Sequence, residues 1–172
     1  FRRVLFRSTT PTALGCGGSG TCTITVYAND TAGNRGSATT TVTVDGTAPK
    51  VTITSPSAGN TSSTTTNFNA TISETNPANS TVAVVEIDPG TGAKYNRSLT
   101  NYSGNWGYTN LSMPDDVYTA KFMIDDEFGQ MNNTESVTFT IDTTAPLVTN
   151  VTSNDTDVGS TSQINITANV RS

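Results

Sequence analysis

The chain has 172 residues, a formal charge of −5, no histidine and a charged fraction of only 13%. Arg2, Arg3 and Arg7 stand in the first eight residues, so residues 9–172 carry six bases against 14 acids, a charge of −8. Such an acidic surface repels nucleic acid and anionic lipid. No run of about 18 apolar residues is present to make a membrane-spanning helix, and the Ser-His-Asp and Cys-His machineries need a histidine the chain lacks.

Residues 1–8 (FRRVLFRS) show no strand or helix periodicity and read as a non-native leader. Beyond them threonine (35) and serine (17) dominate. Threonine's branched Cβ suits a pleated surface, and the regular spacing of Val, Ile and Phe argues against mucin-like disorder. Gly15-Cys-Gly-Gly-Ser-Gly20 formally fits a dinucleotide fingerprint, but a strand follows it and no helix, so it reads as a turn. Cys16 and Cys22 are the only cysteines. They are too few for a metal site without histidine, and in an exported chain they would close this glycine-rich hairpin as a disulfide. A partner outside this sequence is the alternative. Cys22, Ile24, Val26 and Ala28 then alternate, Asp30-Thr-Ala-Gly33-Asn34 turns, and a second alternating run ends at Val42 and Val44.

Asp45-Gly-Thr-Ala-Pro49-Lys-Val-Thr follows, and returns 97 residues later as Asp142-Thr-Thr-Ala-Pro146-Leu-Val-Thr. A period of this size is one immunoglobulin-like sandwich, and tandem copies build a rod of nearest-neighbour contacts. Residues 9–45 therefore read as the end of one unit, 46–142 as a complete unit and 143–172 as the start of the next. Within the complete unit strands are predicted over 50–55, 65–73, 81–87, 93–99, 105–111, 117–124 and 135–141. Turns fall at Asp88-Pro-Gly-Thr-Gly92 and Met113-Pro-Asp-Asp116. Tyr95, Leu99, Trp106, Tyr108, Leu111, Tyr118, Ala120, Phe122 and Ile124 are candidate core residues, and Tyr118 stands where a tyrosine corner would. The predicted fold class is all-β, an immunoglobulin-like β-sandwich repeat with one complete and two partial copies. A short-period solenoid is the runner-up.

The two stretches VYANDTAGN…TVTVDGTAP and VYTAKFMIDDEFGQ…FTIDTTAP resemble tandem bacterial and archaeal Ig-like repeats of large surface proteins. Such repeats show a late strand closing on D-x-x-G-N, an alternating strand, then D-x-T-A-P. Gln130 departs from that asparagine. The resemblance implies a stalk, adhesin, surface coat component or spacer of a secreted enzyme.

Asn-x-Ser/Thr triplets occur at Asn29, Asn60, Asn69, Asn79, Asn96, Asn101, Asn110, Asn132, Asn150, Asn154 and Asn165, 11 of the 17 asparagines. They matter only in an exported protein, where the glycan must project into solvent. Asn69 and Asn165 are 96 apart and are expected at one place in successive units. Asp30, Asp45, Asp126 and Asp142 form a candidate calcium set at the unit ends, set against the ordinary role of aspartate in turns. Trp106 and Tyr108 could form a sugar-binding platform or pack in the core. No catalytic residue and no cofactor other than calcium is expected. The functional expectation is a non-catalytic structural or adhesive stalk segment at a cell surface. Its partners would be neighbouring repeats of the same chain, and surface glycans or another surface protein, with no nucleic acid or membrane contact. A spacer or weak carbohydrate-binding accessory module of a secreted enzyme is the alternative.

Overall fold

The computed structural model describes residues 10–74, 83–157 and 159–171, so Asn79, the leader and the first two residues of the predicted 81–87 strand lie outside the described residues. After a 3-10 turn at Thr12–Leu14, β1 (Gly20–Asn29) and β2 (Arg35–Val44) pair as an antiparallel hairpin. The complete unit follows, with β3 (Lys50–Ser55), β4 (Gly59–Thr61), β5 (Thr66–Ser73), β6 (Ala83–Pro89), β7 (Tyr95–Ser98), β8 (Thr100–Tyr102), β9 (Asn105–Asn110), β10 (Asp116–Asp125), β11 (Met131–Asn132) and β12 (Ser136–Ile141). A last hairpin joins β13 (Leu147–Ser153) to β14 (Ile166–Arg171).

The complete unit is a two-sheet sandwich. One sheet runs β3-β5-β9-β8, and the other runs β4-β12-β10-β6-β7 with β11 beside β10. In immunoglobulin lettering these are A-B-E-D against A′-G-F-C-C′, the constant-type arrangement with short additions. The chain crosses between sheets at Leu99, which is buried and whose amide donates to the Ala83 carbonyl at 2.8 Å. Alternation along each strand aims Phe68 and Ala70 of β5, Val85 and Ile87 of β6, Tyr118, Ala120, Phe122 and Ile124 of β10, and Phe139 and Ile141 of β12 into one core. The Tyr118 ring stacks on Phe139, and the Tyr118 hydroxyl donates to the Pro114 carbonyl at 2.9 Å, which is the tyrosine corner.

Two readings of the sequence are corrected by the structure. Leu111 is 68% exposed, and Met113, read as a turn residue, is buried in its place. Ser112 at φ +67° turns the chain between them, so the in-out alternation of β9 does not carry through. Asn165 is the counterpart of Asn67 rather than of Asn69. Val51 of β3 faces Ile72 of β5, and Val148, 97 residues after Val51, faces Val170 of β14. Ile72 therefore corresponds to Val170, an offset of 98 that also aligns Ala70 with Ala168 and Phe68 with Ile166.

Candidate functional site

The linker after β2 is organised by Asp45. Its Oδ1 accepts the Thr47 amide at 3.0 Å and the Thr47 hydroxyl at 2.8 Å, the short-side-chain turn that aspartate favours. The Ser19 hydroxyl donates to the same oxygen at 3.0 Å and accepts the Gly46 amide at 3.2 Å. Pro49 is buried where the next unit begins, and its carbonyl accepts Asn132 Nδ2 at 3.0 Å. The second linker repeats the turn, with the Thr144 amide on Asp142 Oδ1 at 3.0 Å. The clasping residue there is Asp115, 96 positions after Ser19. Its Oδ1 accepts the Thr143 amide (3.0 Å) and hydroxyl (2.7 Å), and its Oδ2 accepts the Thr144 hydroxyl (3.0 Å). The Thr143 hydroxyl is the main reason the Asp115 carboxyl lies below its ordinary pKa, with the Thr143 amide and Thr144 hydroxyl adding to it.

Two further turns form a matched pair. In the β1–β2 hairpin Asp30 Oδ1 accepts the amides of Ala32 (2.9 Å) and Asn34 (2.8 Å), and Oδ2 accepts Asn34 Nδ2 at 2.7 Å. That side-chain bond leads the causes holding the Asp30 carboxyl below its ordinary pKa. After β10, Asp126 Oδ1 accepts the amides of Phe128 and Gln130, both at 2.8 Å. Gly33 (φ +86°) and Gly129 (φ +80°) supply the left-handed residue each turn needs. The difference lies in the last position. Gln130 stands where Asn34 stands, and Asp126 Oδ2 has no hydrogen-bond partner although Asp126 is only 1% exposed.

Asp126 is not isolated. Asp45, Glu74 and Asp126 each bring a carboxylate oxygen within 4.8 Å of the others. Asp45 comes from the linker, Glu74 follows the last residue of β5 and Asp126 opens the turn after β10, so three separate segments meet at one end of the sandwich. Charges at this spacing repel by about 3 kcal/mol per pair at an effective dielectric of roughly 20.

The calcium set read from the sequence is thus divided. Asp45 and Asp126 come together with Glu74, which that reading missed, whereas Asp30 and Asp142 are exposed and engaged in their own turns. Geometry explains the division: the cluster forms where the aspartate ending one unit meets the turn of the unit after it. Glu74 carries no signal in the sequence that marks it out, because its role arises only where the linker, the end of β5 and the turn after β10 converge.

Trp106 and Tyr108 lie opposite Ala70 and Phe68 across the β5–β9 ladder and pack against the core. Tyr108 stacks on Phe68 and its hydroxyl accepts Arg97 Nε at 3.2 Å. The core role, rather than an open platform, is the one their geometry serves. Cys16 and Cys22 are joined as a disulfide with Cα atoms 5.7 Å apart. Asn29, Asn60, Asn96, Asn101, Asn150, Asn154 and Asn165 are exposed, whereas Asn69, Asn110 and Asn132 are half-buried. No helix among the described residues is long and apolar enough to cross a membrane.

No family model matches the chain, and no curated protein matches it. Among solved structures, one titled "Crystal structure of Br derivative BhCBM56" aligns at 15% identity over 54% of this chain and 91% of that one, with a TM-score of 0.39.

Proposed function

We propose that the chain is a non-catalytic segment of an exported cell-surface stalk, an array of Ig-like repeats of the bacterial and archaeal type that spaces or displays something else. The observation that carries this reading is the repetition of the junction itself. Both linkers fold back on their aspartate through the same 3.0 Å amide bond, and both are clasped by the residue 26–28 positions upstream, Ser19 for Asp45–Thr47 and Asp115 for Thr143. A chain that repeats a defined junction as well as a domain builds a rod of set spacing, because each unit contacts only its neighbours. The disulfide supports export, since such bonds persist in oxidising surroundings. The exposed Asn-x-Ser/Thr triplets supply places for a glycan coat, and neighbouring repeats, surface glycans or another surface protein are the partners that fit.

Small-angle X-ray scattering tests the reading. The 172-residue chain is compared with versions carrying one and two extra copies of residues 46–142. Each copy is expected to lengthen the maximum dimension by the same roughly 30 Å or more, given a radius of gyration near 13 Å for a unit of about this size. A maximum dimension that stays constant as copies are added would overturn the rod. Retention on insoluble polysaccharide that Trp106→Ala abolishes in a folded protein would instead make the segment a carbohydrate-binding accessory module.

A further inference from the structure

We infer that the end of the sandwich facing the first linker is a divalent-cation site of calcium-like chemistry, made by Asp45, Glu74 and Asp126. The site holds whether or not the array serves as a stalk. Two independent observations carry it. The first is the meeting of three carboxylate oxygens within 4.8 Å of one another. Calcium–oxygen bonds are about 2.3–2.6 Å long, so no pair of these oxygens is further apart than two such bonds end to end. The second is Asp126 Oδ2, an oxygen with no hydrogen-bond partner on a side chain 1% exposed. A buried carboxylate oxygen without a partner is costly unless something binds it. The matched turn shows what is missing: at Asp30 the equivalent oxygen is occupied by Asn34 Nδ2, and the exchange to Gln130 leaves it unused at Asp126. The ligands are all hard oxygens and no histidine or thiol stands among them, which selects calcium-type over zinc-type chemistry.

An ion bound there ties the linker to β5 and to the turn after β10, locking the direction in which the chain enters the sandwich. The second linker shares the aspartate turn but differs in its clasp. Its strand β14, the counterpart of β5, contains no acid. Its lock is the Asp115 clasp on Thr143 and Thr144, which needs no ion.

The experiment uses the 172-residue chain after chelator treatment, titrated calorimetrically with calcium chloride, with thermal unfolding and amide exchange followed in both states. One ion is expected per chain, with a raised Tm. Exchange at Thr47 should slow several-fold while Thr143 and Thr144 stay unchanged. Glu74→Gln and Asp126→Asn should each weaken calcium binding at least tenfold and melt in chelator no lower than the parent chain, since each removes a repelling charge. Glu74→Gln leaves every turn bond of Asp126 in place, so it decides the matter if Asp126→Asn folds poorly. The proposal falls if no heat appears at millimolar calcium, if Glu74→Gln binds with unchanged affinity, or if both linkers are protected equally.

Discussion

Tyr118 shows how much a single side chain contributes here. It is 2% exposed, stacks on Phe139 and still satisfies its hydroxyl on the Pro114 carbonyl at 2.9 Å. Tyr118→Phe keeps the packing and removes the bond, so we expect a loss of about 1 kcal/mol in urea unfolding with the denaturant slope unchanged. Two turn carboxylates act through pH instead. Asp115 and Asp116 are both held below their ordinary pKa, chiefly by the hydroxyls of Thr143 and Thr91. A lowered folded-state pKa stabilises the fold above the ordinary carboxylate value, and that contribution disappears as pH falls below it. Amides of Thr91 and Thr143, which donate to these two carboxylates, should therefore keep their exchange protection from neutral pH down to the ordinary carboxylate range and lose it below. Protection that is lost already near neutrality would contradict these bonds. At this scale the sequence announced Tyr118 through its spacing from the Asp115-Asp116 turn, because a corner is local. Met113 and Glu74 were not legible: one depends on the Ser112 backbone turn, the other on three distant segments converging.

Whole strands were the most readable level. β3 and β12 alternate throughout and β5 and β10 over most of their length, since one face of each meets the core and the other is more open to water. The two- and three-residue strands β4, β8 and β11 were not, since each exists only through its partner, β4 lying parallel to β12 and β8 along β9. The inter-sheet contact predicts unequal costs for its aromatics. Phe68 is fully buried between Tyr108 and Phe139, so Phe68→Ala should cost about 3–5 kcal/mol, as deletions of fully buried rings do. Trp106 packs on the same core but is only half-buried, so Trp106→Ala should cost measurably less despite removing the larger ring. Chemical denaturation of the two variants settles the order, and a Trp106→Ala loss equal to or above that of Phe68→Ala would place the tryptophan deeper in the core than its exposure indicates.

At the scale of the molecule the junction and the glycan triplets compete for one side chain, Asn132. Its Nδ2 donates to the Pro49 carbonyl, and its Oδ1 accepts both the amide and the hydroxyl of Thr134, the third residue of its own triplet. The nitrogen that would carry a glycan and the hydroxyl that recognition requires are thus both engaged where the linker enters the sandwich. Asn110 is similarly committed, half-buried with Nδ2 on the Tyr95 hydroxyl at 3.2 Å. A glycan at either position must first break these bonds and, at Asn132, detach the linker from the turn side of the unit. In a host that glycosylates folded protein, mass spectrometry of glycopeptides should find exposed acceptors such as Asn60, Asn96, Asn101 and Asn154 modified, and Asn132 and Asn110 bare. The triplets are visible in the sequence, but this selection among them is not, because the decisive partner of Asn132 lies 83 residues away at Pro49. Full occupancy at Asn132 with an unchanged Tm would mean that the Asn132–Pro49 bond does not hold the junction. A bare Asn132 beside occupied neighbours would mean that the hydrogen bonds of the junction exclude glycans there and leave them to the exposed acceptors.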